Sequence, residues 1–154
     1  MVTLAFFDTS VLLGGLIDFG HASAAAQRVM TAVAEHHLHR PETAWHCCLE
    51  FYAVSTRLPE EFRLSPADAL RLIEEEILAR FRVRQLPDRW RLPFLRSAVR
   101  DRVAGGRIYD AHIAEIARQA GARVVVTDNR RHFTALLRAG IRVLSTDEFA
   151  SEAL

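Results

Sequence analysis

Four carboxylates stand where carboxylates are costly. Asp8 interrupts the apolar stretch TLAFFDTSVLLGGL, residues 3–16, where a strand hands over to a helix. Glu50 lies inside AWHCCLEFYAV (44–54), Asp110 follows GGRIY (105–109) at the start of a helical pattern, and Asp128 ends RVVVTD (123–128). A carboxylate in apolar surroundings is strongly unfavourable unless hydrogen bonds, a partner charge or a metal compensate it. Taken singly, Asp8 and Asp110 read as helix caps and Asp128 as a turn residue. Glu50 has no such simple role, because glutamate on an apolar stripe is rarely buried without a partner. Converging on one crevice, the four would repel and each would be driven toward its protonated form. Divalent cations relieve that repulsion, and hard oxygen ligands suit Mg²⁺ or Mn²⁺. The chemistry such a site supports is metal-assisted hydrolysis of a phosphodiester.

The remaining composition narrows the alternatives. All 20 basic residues are arginine and the chain has no lysine, which excludes lysine-dependent phosphate loops and Schiff-base chemistry. A haloacid-dehalogenase-type phosphatase needs a second aspartate two residues after the first, where Ser10 stands, and a lysine; a receiver domain fails on the same missing lysine. Zinc ligands are suggested by HHLH (36–39) and by His46 and Glu50 at i, i+4 spacing, but no motif places a third ligand, and these read as surface or packing histidines. Cys47 and Cys48 are adjacent in an apolar helix and read as reduced core residues. The net charge of +1 hides an asymmetry: residues 80–107 hold nine arginines and two acids, a balance of +7, against −6 elsewhere. Arg80, Arg82, Arg84, Arg89, Arg91 and Arg107 are therefore candidate contacts to a polyanion, with a solvated helix face as the simpler alternative.

The elements that must hold these residues follow from periodicity. A buried strand ends at Phe7, with Thr9 or Ser10 capping the short helix after it. The pattern predicts a helix over 21–36, a short strand and a break near Pro41, and an apolar helix to about Leu58. Further helices are expected at 65–77, at 94–104 closed by Gly105 and Gly106, from Tyr109 to Gly121, and over FTALLRAG (133–140). RFRVRQL, ARVVVTD and IRVLS read as the other strands. Strands alternating with helices imply an α/β domain with a parallel sheet covered on both faces and ligands at the C-terminal strand ends. The 154 residues fit one domain, 1–154, without linker or repeat. No apolar run nears the roughly 20 residues of a membrane span and no basic region precedes a signal-like core, so a cytoplasmic protein is expected.

The successive blocks FFDTSVLL, HCCLEFYAVSTRLPEEFRLSPADAL and YDAHIAEIARQAGARVVVTDNRRHF resemble those of a PIN-domain ribonuclease, specifically the VapC-type toxins of bacterial toxin–antitoxin pairs. The resemblance implies a three-layer α/β/α domain with about five central parallel strands. It also implies an RNA-cleaving, Mg²⁺- or Mn²⁺-dependent site with Asp8 and Asp110 as principal ligands and Glu50 binding a second metal or positioning water. Asp128 matches the acid of the last block, although some related toxins use the next position, here Asn129. Thr9, Ser10 and Thr127 would orient carboxylates or water. The resemblance further implies a homodimer and a cognate VapB-like antitoxin. A degenerate PIN domain acting as a binding module is the alternative, and the four intact acids argue against it.

Overall fold

AFF (Ala5–Phe7, β1) and VVV (Val124–Val126, β4) are runs with no polar side chain, and such strands are stable only with both faces covered. In the computed structural model, which describes residues 4–154, they are neighbours at the centre of a five-stranded sheet. The others are β2 (Glu42–Ala44), β3 (Arg82–Arg84) and β5 (Arg142–Leu144). The order is β3-β2-β1-β4-β5 and every pairing is parallel, as the alternating pattern predicts. The two edge strands, RVR and RVL, each begin with an exposed arginine, a charge that discourages further strand pairing.

The chain runs outward from β1 to β2 and β3, then returns to the other side of β1 for β4 and β5. The switch point therefore lies between the C-terminal ends of β1 and β4, where open sheets of this kind leave a crevice. Phe7 is in register with Val126, so Asp8 emerges beside Thr127.

Helices cover the sheet in two groups. In the first, α1 (Thr9–Leu16) packs on α2 (Ala24–Ala34) and α3 (Trp45–Ser55); α3 packs on α4 (Pro66–Leu72), and α2 on α7 (Thr146–Ala153). In the second, α5 (Arg91–Arg100) packs on α6 (Arg107–Gln119). Gly15 allows the close approach of α1 to α2: a Cβ there would lie 2.9 Å from the Ala26 carbonyl oxygen. Phe7 ties the layers together through edge-on packing with Phe81 and Phe149, at centroid distances of 5.9 and 5.3 Å. Among the described residues no helix is long and apolar enough to cross a membrane.

Several local expectations shift. The strand β2 follows Pro41 rather than preceding it, and α3 stops at Ser55. The helix expected over 94–104 is α5, starting earlier because Pro93 is tolerated in a first turn, and Gly105 and Gly106 do not end it but lead into α6, with Gly106 as its N-cap. Residues 134–139 form a 3-10 segment that ends at Gly140 (φ 75°), and α4 continues through a π-helical turn over 73–78. The periodicity gave no sign of α7, whose start carries a capping box: Ser145 accepts from the Glu148 amide while Glu148 accepts from the Ser145 amide. Of the expected domain, Met1–Thr3 lie outside the described residues.

Candidate active site

Asp8 is the N-cap of α1 by backbone conformation (φ −76°, ψ 164°), yet its side chain makes no capping bond. Neither Thr9 nor Ser10 takes that place: both are within the first turn, Thr9 Oγ1 being buried without a partner. The Asp8 carboxylate turns instead toward the switch point. Its Oδ2 accepts from Thr127 Oγ1 at 2.7 Å and from Ser10 Oγ at 3.3 Å. Thr127 Oγ1 in turn accepts the Asn129 amide at 3.0 Å, and Ser10 Oγ accepts the Asp128 amide at 3.1 Å. The loop after β4 is thereby laced to the carboxylate that ends β1.

The other oxygen, Asp8 Oδ1, is buried and has no hydrogen-bonding partner. Burial is the largest influence on this carboxyl and pushes its pKa up to about 6; the Thr127 hydroxyl and the Thr9 amide pull it down, and the charges of Glu50 and Asp110 push it up further. Those two acids are thus its electrostatic neighbours.

Each neighbour leans on other groups. Asp110, in the first turn of α6, meets His132 Nδ1 through Oδ2 at 2.5 Å and accepts from Asn129 Nδ2 at 3.3 Å; Asn129 Nδ2 is also 2.7 Å from His132 Nδ1. Glu50, half-buried on α3, has Oε2 4.0 Å from His46 Nε2. His46 Nδ1 lies 2.8 Å from His112 Nδ1, and burial together with His46 lowers the His112 pKa.

The fourth acid goes elsewhere. Asp128 Oδ1 accepts the Thr146 amide at 3.0 Å, so its carboxylate ties β4 to the start of α7, while Asn129 reaches Asp110. Of the residues expected from sequence, Asp8, Ser10, Thr127, Asp110 and Asn129 form one hydrogen-bonded group with Glu50 as its charged neighbour. His132 and His112 were missed, since pairings that span 22 and 66 positions leave no local pattern; the i, i+4 spacing of His46 and Glu50 was the one available signal.

As they stand, no three His, Cys, Asp or Glu side chains among the described residues enclose a cation. The donor set nevertheless fits one: a buried carboxylate oxygen without a partner, in the field of two further carboxylates, offers the hard oxygen ligands that Mg²⁺ and Mn²⁺ take. Cys47 and Cys48 are buried free thiols, their pKa values pushed by burial up to about 12 and about 11, so neither serves as a nucleophile.

Three of the six arginines named from sequence have carboxylate partners. Arg80 pairs with Glu76 (2.8 Å), Arg84 with the buried Glu42 (3.4 Å) and Arg91 with Asp88 (3.0 Å). Arg82 is exposed on the edge strand, Arg89 sits over the Trp90 ring at 5.9 Å, and Arg107 lines a cavity that reaches Asp110.

Comparison with known proteins agrees with this architecture. Residues 5–131 match the family model of the PIN domain. The chain is 32% identical over 108 residues to Ribonuclease VapC27 of Mycobacterium tuberculosis, covering 64% of this chain and 77% of that protein. Among solved structures, VapC20 of Mycobacterium tuberculosis, a toxin that cleaves the sarcin–ricin loop, aligns with a TM-score of 0.65 at 15% identity over 85% of this chain and 94% of that one. The DNA-bound VapBC of Salmonella typhimurium aligns with a TM-score of 0.63 at 19% identity, over 95% and 99%. A carboxylate group at the β1/β4 switch point, a five-stranded parallel sheet and these matches lead to one assignment: the chain belongs to the PIN domain family, with VapC-type relatives.

Proposed function

We propose that this protein is an Mg²⁺- or Mn²⁺-dependent endoribonuclease, a single domain spanning 1–154 that acts in the cytoplasm as the toxin of a VapBC-type pair. The observation that carries the reading is Asp8, a buried carboxylate with one oxygen held by Thr127 and the other unpartnered, in the field of Glu50 and Asp110. A bound divalent ion would supply Lewis-acid activation of water and neutralise charge building on the phosphate. Asp8 and Asp110 are the residues to hold it. Thr127 and Ser10 keep Asp8 oriented, and Asn129 with His132 does the same for Asp110. Glu50, more open to solvent than Asp8, is the group to orient the attacking water and take its proton at a carboxylate oxygen. Asn129 rather than Asp128 completes the site in this reading, because the Asp128 carboxylate is committed to α7.

Partner binding is supported by exposed apolar side chains. Trp45, Leu49 and Tyr52 on α3 and Leu92, Leu95 and Val99 on α5 are 40–77% exposed, which is the composition of covered surface. A homodimer and a VapB-like antitoxin are the partners proposed to cover it, in keeping with the VapBC complexes among the structural relatives.

The test is RNA cleavage with Mn²⁺, with chelator, and by Asp8→Asn and Asp110→Asn. Cleavage that requires the metal and is abolished in both variants supports the reading. Cleavage indifferent to chelator and to both substitutions sinks the mechanism; RNA binding without cleavage would make the protein a binding module.

A further inference from the structure

A cavity of about 480 Å³ opens between α5, α6 and the segment 131–138, and Asp110 and His132 form part of its wall. Anything held in it continues directly from the carboxylate site. The volume falls in the range of roughly 300–1,000 Å³ typical of small-ligand sites. The half-buried Phe94 contributes apolar lining, backed by the buried Phe133 and Leu136, and Arg107, Arg131 and Arg138 contribute charge.

These three arginines differ from their neighbours. Arg118, which also lines the cavity, is tied to Glu115 at 2.6 Å, and Arg130 is held by both oxygens of Glu148 at 2.9 Å. Arg107, Arg131 and Arg138 are exposed and form no ion pair among the described residues. Two acids besides Asp110 reach the cavity: Glu115, already bonded to Arg118 and Gln119, and the exposed Asp101. The consecutive arginines 130 and 131 thus divide their roles: one braces the loop against α7 and its neighbour is left for a ligand. Unpaired guanidiniums beside apolar lining suit a ligand with phosphates and a flat apolar face, since the guanidinium fork matches phosphate geometry and a base stacks on aromatic and arginine surfaces.

We propose that this cavity is a nucleotide subsite of the substrate, holding the RNA nucleotide next to the scissile phosphate. The base lies against the apolar wall near Phe94, and its phosphate is taken by Arg131 and Arg138 with Arg107 at the rim. This rests on the ribonuclease reading above and names part of its substrate path. It also moves the phosphate-binding role away from Arg80, Arg84 and Arg91, whose charges are met by carboxylates.

The experiment titrates a short fluorescein-labelled single-stranded RNA of mixed sequence into Asp8→Asn protein in chelator, so that the RNA is bound and not cut. Arg131→Glu and Arg138→Glu should each weaken binding by about 10-fold and make the slope of log K against log salt shallower by about 0.7 for each phosphate no longer neutralised. Arg123→Glu is the control: Arg123 immediately precedes β4, at the opposite end of the strand from Thr127, and its reversal should change affinity by less than about twofold. In protein with Asp8 intact, Arg131→Gln and Arg138→Gln should raise KM and leave kcat nearly unchanged.

Unchanged RNA affinity in both reversals, or an equal weakening in Arg123→Glu, overturns the subsite. If these variants bind RNA normally and fail to retain a co-expressed protein partner, the cavity is a protein-docking site and the proposal is wrong. Wild-type protein that cleaves RNA metal-dependently beside arginine variants of unaltered KM removes the subsite alone. Wild-type protein that neither binds nor cleaves RNA removes the ribonuclease reading and the subsite with it.

Discussion

Thr127 Oγ1 donates to Asp8 Oδ2 at 2.7 Å across 119 positions of chain, joining the ends of the two central strands. The bond orients the carboxylate, offsets part of the burial that raises its pKa, and leaves Oδ1 free. Thr127→Val should therefore weaken Mn²⁺ binding and RNA cleavage by about 10–100-fold, the usual cost of removing a group that orients a ligand. Thr127→Ser should retain most of both. The check is a Mn²⁺ titration followed by thermal unfolding, beside a cleavage assay; equal behaviour of the valine and serine variants would remove the role assigned to the hydroxyl.

Asp8 burdens the metal-free fold. Its pKa is about 6 in the folded protein against an ordinary 3.8, so the folded state binds the proton more tightly than the unfolded chain does. Stability from this group is present below pH 3.8 and is lost as the pH rises through the window up to about 6, by about 3 kcal/mol in total. Asp8→Asn should then be more stable than wild type in chelator at pH 7.5, with the advantage shrinking toward pH 4. Denaturant unfolding across that range measures it. Added Mn²⁺ at about 1,000 times Kd should reverse the order at pH 7.5, since wild type then gains about 4.1 kcal/mol, more than the burden, and the variant gains little.

Asp128 and Asn129 should separate stability from activity. Asp128→Ala removes the acceptor for the Thr146 amide and should cost about 1 kcal/mol of unfolding free energy, as loss of a helix-terminal acceptor does, with cleavage nearly unchanged. Asn129→Ala should do the reverse, sparing stability and lowering cleavage, because its amide bonds to Asp110. A large activity loss in Asp128→Ala with normal stability would return that acid to the site.

The cysteine pair should be chemically silent. Both thiols are buried, with pKa values pushed to about 12 and about 11, so a thiol-specific reagent at pH 8 should modify neither until denaturant is added. Rapid modification of the native protein would mean that α3 opens in solution.

Much of this protein was legible from its residues in order. AFF and VVV between helical patterns require a sheet covered on both faces, and the absence of lysine removed whole classes of phosphate chemistry before any geometry was known. The acids at the strand ends, Asp8 and Asp128, were visible as anomalies in apolar runs, and Glu50 as a carboxylate on an apolar stripe. These are local signals: periodicity and composition are carried by neighbours in the chain.

The tertiary structure decided which anomalies meet. Strand order put β4 beside β1, and the register of Phe7 with Val126 brought Thr127 to Asp8; a side chain's direction then separated two adjacent residues, sending Asn129 to Asp110 and Asp128 to α7. The same held for charge. A run of nine arginines looked like one surface, but carboxylates distant or near in sequence, Glu42, Glu76 and Asp88, met three of them, and Arg107 from the same run joins the unpaired Arg131 and Arg138, far from it in sequence, around one cavity. Pairing depends on which groups lie within a few ångströms after folding, and sequence spacing does not carry that distance.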